Sequence, residues 1–520
     1  MEFREYNSST VSSSSEESDS FLLTTKDAKN STARLVWCRH DVQTVEAKAR
    51  SLVSRLKQVG RDLFLPVGYP DSVADGYLEY QFYDSLQGLC TYLRGVVSTS
   101  ALLSAAGVGN AEATAMSAAM AWAIRDGFGM IGGLLFSYKA SPYFDAHVKE
   151  FRLLADVFND VGLTIDLALP VLLAQTSSIP SVKLHWILSA LSGYLPSSYL
   201  LLTSTSTLCK VACGICAGAT KGNITDHFAI SGNRADVNAK ENTQETLVSL
   251  LGMCMGVGLA KWLHYLEKND ESTVEDNIIS LLTNAQFISW TVFVILTMVH
   301  IWANYVGIQR LNLRTLNRPR AKVLLQPVFE SCGNYILSIE NSGIDMNRYI
   351  METCASIKSP QQVEESLWTS LLGMCCKGNI EFGIRLQCLA KVTAASWSQA
   401  LLKSYFNEEF GHNKYVILID EKAIKPYQTK ILVLMKVGSN DCDELKAFIN
   451  AHILLWCLQR ETEQNRWRLI LRSRMITDCL FRNDEYGFDL YNRVSKNGWD
   501  MSKLYLGFSP WKCEWNNKDD

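Results

Sequence analysis

The chain has 520 residues, of which 48% are hydrophobic and 20% charged, and its net charge is -3 at pH 7. This length allows two or three domains with a sizeable buried core. Because acidic and basic residues nearly balance, the composition lacks the basic excess of nucleic-acid-binding proteins, and we expect no nucleic-acid partner. The 15 cysteines are scattered through apolar segments, which favours buried, reduced thiols over a disulfide framework.

The N-terminal segment is polar and rich in serine. Residues 11–20 read VSSSSEESDS, and we predict a disordered, acidic, Ser-rich tail over residues 1–40, because so few apolar side chains cannot form a core. A secretory signal needs a basic start and an apolar stretch, and transit peptides avoid acidic residues. The pattern therefore does not support a plastid location. Residues 42–59 repeat apolar side chains at helical spacing and predict an amphipathic helix.

Residues 41–322 are the most apolar part of the chain. Residues 95–124 are crowded with Ala, Ser, Gly and Thr, and further apolar segments cover residues 161–174, 186–209 and 247–260. Small side chains let helices approach closely, both in membrane bundles and in tightly packed soluble ones. We predict a mainly α fold, in which a membrane-embedded multi-helix bundle precedes a small α+β domain.

The run from Asn277 to Gln309 is the strongest membrane signal. It contains 33 residues without Lys, Arg, Asp or Glu, and the next 13 residues carry five basic charges and no acidic one. Residues 287–306 supply the ~20 apolar residues that cross a ~30 Å hydrocarbon core. Basic residues flank membrane helices on the cytosolic side, so we expect the C-terminal domain there. The alternative is a buried helix of a soluble domain, with His300 and Asn304 in a polar core.

Polar and charged residues interrupt the apolar middle in groups. A charge removed from water must be paired or used, so these residues are candidates for a polar ligand site or a structural charge cluster. On a helix, i, i+4 spacing predicts ion pairs between Arg152 and Asp156 and between Asp236 and Lys240. The sharper alternative is a ligand site or ion path lined by the remaining acids, including Asp166. The candidate set is Asp126, Arg152, Asp156, Asn159, Asp160, Asn233, Asp236, Lys240, Glu241, His300 and Asn304.

No motif in the sequence indicates catalysis. Residues 127–132 match a dinucleotide-binding glycine pattern, but a helical segment precedes them where the motif needs a strand, so close helix packing explains the glycines better. Cys213 and Cys216 lack a second pair of metal ligands. The sequence contains no Walker loop, nucleophile elbow or HExxH motif. We therefore expect no catalytic residues, no metal site and no enzymatic activity.

The C-terminal part has the composition of a soluble protein. We predict a helical connector over residues 323–410 and a small α+β domain over residues 411–520. Within that domain, His452 lies on an apolar helix face and is expected to be a core residue. Short apolar runs predict two strands and apolar periodicity predicts two helices, over residues 415–420, 430–435, 443–459 and 467–481.

Several blocks of residues, in the same order along the chain, resemble the domain of the root UVB sensitive (RUS) family. The resemblance covers about residues 65–320, with looser similarity beyond. Its start is carried by the run from Pro66 to Val73 with Tyr77, Tyr80, Asp84 and Gln87. The blocks that follow include Arg125-Asp126-Gly127, Asn159-Asp160, Asn233, Ala239-Lys-Glu241 and Ala303-Asn-Tyr305.

This resemblance implies a mostly helical, membrane-associated protein whose biochemical activity is not established. Plant members of the family are linked to ultraviolet-B responses, vitamin B6 homeostasis and auxin transport, which implies pyridoxal phosphate or a related compound as a ligand rather than as a catalytic cofactor. Two functions remain open. The first is a membrane protein that handles or senses a small polar metabolite, and the second is a non-catalytic helical scaffold that docks a related RUS protein or another partner. The expected partners are accordingly membrane lipid, an unidentified small molecule or another RUS protein.

Overall fold

The structure is a computed structural model of the chain. It describes residues 21–26, 32–38, 41–44, 52–105, 115–176, 197–270, 285–338, 357–363, 379–384, 413–420, 430–460, 466–482, 488–507 and 512–514. The described chain is mainly helical, with a few strands near its start and in its C-terminal part. This confirms the predicted fold class, a mainly α bundle followed by a small α+β region.

Long helices form the first part of the described chain. After α1 (Leu52–Phe64) come α2 (Tyr77–Ala105), α3 (Ala115–Ala140), α4 (Val148–Thr176), α5 (Ser197–Phe228), α6 (Arg234–Asp270) and α7 (Ala285–Gln309). α2 packs against α4, α6 and α7, α5 packs against α4 and α3, and α1 packs on α6. The shortest of α2 to α7 has 25 residues and the longest has 37. At 1.5 Å per residue even the shortest is about 37 Å long, enough to cross a bilayer.

A three-stranded antiparallel sheet precedes α1. Strands β1, β2 and β3 cover Phe21–Lys26, Thr32–Cys38 and Asp41–Thr44. The structure here differs from the disordered tail predicted over residues 1–40 and from the helix predicted to begin at residue 42, since α1 begins ten residues later. The backbone register places Phe21 of β1 opposite Trp37 of β2, and aromatic and branched residues of the kind found in these segments favour strands. Residues 1–20 lie outside the described part of the chain.

Three of the described helices are long and apolar enough to cross a membrane. Only 28%, 17% and 33% of their most apolar 18-residue stretches are buried inside the protein; the candidate spans are Tyr199–Phe228, Arg234–Leu266 and Gln286–Gln309. A helix in a soluble core would bury most of its apolar face. Here apolar side chains stay at least half exposed, among them Leu251, Met255, Ile295, Met298 and Trp302. An apolar surface of this extent is consistent with membrane association.

Glycines on α3 let this helix approach α5 closely. An added Cβ at Gly133 would lie 2.5 Å from Cγ1 of Val211, and one at Gly129 would lie 2.8 Å from Cγ2 of Thr207. Both distances are shorter than a real Cβ contact, so only glycine fits at this helix crossing. Of the three glycines in the pattern at residues 127–132, Gly129 and Gly132 lie at this crossing, whereas an added Cβ at Gly127 would meet nothing within 4 Å. Helix packing therefore explains two of the three.

Gly133→Ala should destabilise the protein by about 1–3 kcal/mol, because the new methyl group must push Val211 and α5 away from α3. The matched control is Gly127→Ala on the same helix, where an added Cβ meets nothing within 4 Å. This control should be neutral or stabilising by about 0.5–1 kcal/mol. Thermal unfolding of both purified variants in detergent measures the difference, and equal melting temperatures would contradict the close crossing.

The C-terminal part is a small α+β unit. Helices α8 to α11 cover Arg318–Ser338, Asp441–Leu458, Arg466–Phe481 and Leu490–Lys496, and strands β4 to β8 cover Thr315–Asn317, Ile380–Phe382, Tyr415–Asp420, Lys430–Met435 and Asp500–Tyr505. Strand β7 lies between β5, which is parallel to it, and β6, which is antiparallel. Strand β4 pairs with β8. The two strands and two helices predicted for this region are confirmed, each within two residues at either end.

The boundary between the two parts differs from the predicted one. Helix α8 begins at Arg318, so a boundary at residue 322 falls inside its first turns. Leu325 and Cys332 of α8 are fully buried in the same hydrophobic core as β6, β7 and α9. Because its apolar face is buried in this core, α8 is part of the C-terminal unit and not part of a connector.

His452 lies in this core, as the sequence predicts. Its ring stacks on Phe329 and packs against Phe448, and Nδ1 lies 2.8 Å from the carbonyl oxygen of Phe448. A ring nitrogen that faces a carbonyl oxygen must carry the proton, so Nδ1 donates this hydrogen bond in the neutral ring. Burial among apolar side chains lowers the pKa of His452 to about 3.

Acid should destabilise the protein in a way that depends on His452. The unfolded chain takes up a proton near pH 6.5, whereas the folded ring stays neutral down to about pH 3. The stabilisation is therefore complete above the unfolded pKa and is lost as the pH falls towards the folded one, by about 2 kcal/mol over the first 1.5 pH units. Thermal melts of the full chain at a series of pH values, compared with His452→Leu, measure this loss. An equal pH slope in the variant would contradict the assignment.

Candidate polar site in the helix bundle

One face of α2 carries polar side chains in an otherwise apolar bundle. Asp84, Gln87, Thr91 and Arg94 are spaced by three or four residues, so they form one stripe along the helix. Side chains of α4 and α7 bond to this stripe. The stripe therefore gives the bundle a polar interior.

Arg94 forms the deep end of the stripe. Its side chain is fully buried, and Nη1 lies 2.5 Å from Oδ1 of Asp160 on α4 and 3.2 Å from the hydroxyl of Thr297 on α7. The two carboxylate oxygens of Asp160 also lie 3.1 and 3.2 Å from Nδ1 of His300. A buried ion pair is stable only when further hydrogen bonds satisfy its remaining donors and acceptors. Thr297 and His300 supply such bonds here.

Polar contacts continue from His300 towards one end of the bundle. His300 Nε2 lies 2.9 Å from Oε1 of Gln87, and the amide nitrogen of Gln87 donates to Asp84 over 3.1 Å. Asp84 in turn lies 2.5 Å from Nη2 of Arg152, which approaches Asp156 at 4.0 Å through Nη1. We call the six ionisable members of this chain the charge network: Arg94, Asp160, His300, Asp84, Arg152 and Asp156.

A cavity of about 260 Å³ adjoins the charge network at Asp84 and Arg152. Burial raises the pKa of the Tyr80 hydroxyl at its edge, with the charge of Asp84 adding to the effect, so the hydroxyl stays neutral. We call this space the polar cavity. It lies between α2, α4, α5 and α6 and is lined by Tyr80, Gln81, Asp84, Arg152, Ala217, Gly218, Lys221, Ile224, Glu241 and Glu245.

The charged side chains of the polar cavity are held by hydrogen bonds. Glu241 accepts from Gln81 over 3.0 Å and from Thr225 over 3.1 Å. Lys221 donates to Glu245 over 2.7 Å, and the two side chains are 37% and 55% exposed, so they form the open rim. With Arg152 and Lys221 as cations, and carboxylates among the other lining residues, the cavity can bind a small ligand that carries both an acidic and a basic group.

The polar cavity lies near one end of the bundle. Its residues are within about three turns of the starts of α2, α4 and α6 and of the end of α5. Helix α7 runs antiparallel to α2, since Gly307 approaches Tyr83 while Thr297 approaches Arg94. The end of α7, the basic residues that follow it and the start of the C-terminal unit therefore lie at the same end as the cavity.

The two ion pairs predicted from helical spacing have different outcomes. Arg152 does approach Asp156, but its shorter contact is with Asp84 on α2. The predicted pair between Asp236 and Lys240 is wrong. Asp236 accepts from the backbone nitrogen of the loop that follows α1, and Lys240 donates to a backbone carbonyl of α1, over 2.7 and 2.6 Å. Both side chains attach α6 to the α1 region, because fixed backbone partners lie within their reach.

The other candidate residues lie outside the cavity lining. Asp126 pairs with the neighbouring arginine on α3, and Asp166 pairs with a lysine of α5. Because each carboxylate is neutralised by its own partner, neither residue supports the predicted ion path. Asn159 is half-buried. Among the described residues, the side-chain nitrogens of Asn233 and Asn304 have no hydrogen-bond partner. Of the predicted set, the structure brings together Arg152, Asp156, Asp160 and His300, with Glu241 across the cavity.

The candidate set drawn from the sequence omits several residues that the structure brings into the site. Asp84, Gln87 and Arg94 carry a readable signal, the three- and four-residue spacing of polar side chains on one face of α2. Lys221 carries no such signal, because it is a single cation near the end of a helix. Its role depends on its neighbours in α6.

Comparison with known proteins identifies the family. Residues 49–331, more than half of the chain, match the family model described as the vitamin B6 photo-protection and homoeostasis domain, and residues 356–515 match root UVB sensitive protein, C-terminal. The chain belongs to the root UVB sensitive family. The first match contains the whole charge network and the whole lining of the polar cavity, so this RUS protein holds its candidate site within the family domain.

Two relatives illustrate the extent of the similarity. The chain is 27% identical to protein root UVB sensitive 3 of Arabidopsis thaliana over 465 residues. The matched region covers 87% of this chain and 85% of that protein. The chain is 34% identical over 263 residues to RUS family member 1 of Dictyostelium discoideum, covering 51% of this chain and 42% of that protein. No solved structure matches the chain.

Proposed function

We propose that this RUS protein is a membrane-embedded protein that binds a small polar metabolite in the polar cavity and does not convert it chemically. The observation that carries the proposal is a cavity with fixed charges of both signs at one end of a bundle whose outer surface is apolar. Buried charges are costly and persist where they are paired or used. Lys221 and Glu245 pair with each other at the open rim, where a ligand from solvent can replace either one as the partner of the other.

The size and charge of the polar cavity define a class of ligand. Small-molecule sites usually measure about 300–1,000 Å³, so a cavity of about 260 Å³ suits a single-ring metabolite and not a dinucleotide. Arg152 and Lys221 favour a phosphate or carboxylate, and the facing carboxylates favour a protonated nitrogen. Pyridoxal phosphate carries both a phosphate and a ring nitrogen, whereas pyridoxine carries the ring nitrogen without a phosphate. The family description, vitamin B6 photo-protection and homoeostasis, supports this class.

In this proposal the polar cavity opens towards the cytosol. The basic segment after α7 lies at the cavity end of the bundle, and basic residues mark the cytosolic side of membrane proteins. Arg314 of this segment is exposed, and Arg310 pairs at the surface with Glu79. Arg318 and Arg320 instead bond to backbone carbonyls of the C-terminal unit, so part of the basic signal is structural.

The test is direct binding of pyridoxal 5′-phosphate and pyridoxine to the purified full chain in lipid nanodiscs, measured by equilibrium dialysis. Lys221→Gln should weaken pyridoxal phosphate binding by about 10- to 100-fold, because a charge-assisted hydrogen bond is worth about 1.5–3 kcal/mol. The matched control is Lys210→Gln. Lys210 lies about three turns earlier on the same helix and pairs with Asp166 outside the cavity lining.

Two outcomes would count against the proposal. Equal affinities in the Lys221 and Lys210 variants would show that the ligand binds elsewhere on the protein. Absence of saturable binding of either compound to the unmodified chain would reject a vitamin B6 ligand, and it would favour the scaffold that docks another RUS protein.

A further inference from the structure

The charge network is unbalanced unless it holds a proton. It contains two guanidinium groups, from Arg94 and Arg152, and three carboxylates, from Asp84, Asp156 and Asp160. The side chains of these five residues are between 0% and 22% exposed. With all of them ionised the network carries one uncompensated negative charge, which is costly away from water. One further proton makes it neutral.

The hydrogen bonds around His300 point to this ring as the carrier of that proton. The ring is fully buried, and Nδ1 faces both oxygens of Asp160 at 3.1 and 3.2 Å. Nε2 faces Oε1 of Gln87 at 2.9 Å, and the amide orientation of Gln87 is fixed because its nitrogen donates to the carboxylate of Asp84. Both ring nitrogens therefore face acceptors. A neutral imidazole has one N–H, whereas the imidazolium has two and satisfies both sides.

We infer that His300 is a buried imidazolium that balances the charge network, and that anion binding in the adjoining polar cavity is linked to this proton. The second half of the inference rests on the proposed function. A phosphate or carboxylate beside Asp84 and Arg152 adds negative charge at the open end of the network. The positive charge of the imidazolium attracts this added negative charge, so an anionic ligand binds more strongly when His300 carries its second proton.

The groups that face His300 come from each helix packed on α7. Helix α2 contributes Asp84 and Gln87 together with Arg94, and α4 contributes Arg152, Asp156 and Asp160. Helix α6 also packs on α7, and it brings Glu241 to the cavity, where Gln81 and Thr225 hold it. Thr297 on α7 itself bonds to Arg94. The cations among these groups are Arg94 and Arg152, so His300 is the remaining source of positive charge within this described set.

A charge-balance cycle tests the imidazolium without any ligand. His300→Gln leaves two cations and three carboxylates, so it should lower the melting temperature and the amount of protein in the membrane fraction. Adding Asp156→Asn removes one carboxylate and restores neutrality, while Arg94 keeps Asp160 and Arg152 keeps Asp84 as partners, so the double variant should recover at least half of the loss. The matched control adds Asp166→Asn to His300→Gln, which removes a carboxylate outside the network and should recover nothing. If the double variant is no better than His300→Gln alone, including failure of both to accumulate, the inference is overturned.

The linkage to ligand binding is tested with pyridoxal 5′-phosphate at pH 6.5 and 8.5. The unmodified chain should bind about 5-fold or more tightly at the lower pH. The balanced double variant, His300→Gln with Asp156→Asn, should show a smaller pH dependence. The phosphate of the ligand ionises equally in both experiments, so the difference between the two proteins comes from the charge network. Equal pH dependence would overturn the linkage. Absence of binding at both pH values would instead reject the proposed function, while the charge-balance cycle would still decide the state of His300.

Discussion

Arg94→Met should destabilise the protein by about 3–5 kcal/mol, because removing one partner of a buried ion pair leaves the other charge unpaired. Arg94 is fully buried, and its closest partner, Asp160, has a side chain that is only 10% exposed. Methionine keeps an unbranched apolar chain of similar length, so the packing of α2 changes little. The loss of stability then reports the effect of removing the positive charge and not a change in packing. Without Arg94 the charge network has one cation fewer and the same three carboxylates.

Thermal stability of the purified variant in detergent, followed by fluorescence-detected gel filtration, measures this effect. The matched control is Arg310→Met. Arg310 pairs with Glu79 at 3.1 Å, but the two side chains are 49% and 58% exposed. Surface pairs of this kind contribute about 0–1 kcal/mol. If the two variants melt within a degree of each other, Asp160 does not depend on Arg94 and the charge network is not a unit.

The C-terminal unit shows what local pattern can predict. Residues 415–420 and 430–435 are short apolar runs rich in branched side chains, and both strands occur at the predicted residues because each is buried in the sheet. The helix from Asp441 to Leu458 follows from its apolar periodicity, and Asn440 caps it in the structure. Where the apolar pattern of a single segment determines its secondary structure, the sequence is sufficient to predict that strand or helix.

The candidate site shows where local pattern fails. Helical spacing places Lys240 above Asp236, yet each side chain bonds to backbone of the α1 region. Arg94 has no acidic partner on its own helix, and its partner Asp160 lies 66 residues away. Such contacts are decided by which helices pack together, and a single sequence does not state that arrangement. Reading polar residues on α2 by the helical period would have found the stripe, but not the helices that meet it.

The same limit applies to the membrane interpretation. The charge-free run at α7 predicts a span, and the structure adds α5 and α6 as helices of suitable length and composition. Composition alone does not distinguish a lipid-facing helix from a buried one, since both are apolar. The position of the apolar side chains distinguishes them. On α6 those side chains lie outside the bundle, which makes this helix the place for a decisive substitution.

Leu251→Arg should therefore reduce the amount of protein in membranes severely. Leu251 is half exposed and lies near the middle of α6. At the centre of a membrane helix an arginine costs about 2.5–3.5 kcal/mol relative to insertion of the native helix, because its charge must leave water or distort the bilayer. On the surface of a soluble protein the same substitution stays within about 0.5 kcal/mol of neutral. The same substitution should therefore be strongly unfavourable if α6 crosses a membrane and nearly neutral if α6 faces water.

The measurement is the amount of full-length chain that sediments with membranes and resists carbonate extraction. The matched control is Met475→Arg in the C-terminal unit, where the side chain is 62% exposed and no candidate span is present among the described helices. This control should leave both amounts unchanged, since an exposed methionine outside the candidate spans can be replaced by arginine without burying the charge. If Leu251→Arg accumulates as well as Met475→Arg and both are extracted by carbonate, α6 faces water, and the bundle is a soluble domain with an exposed apolar surface that requires a protein partner.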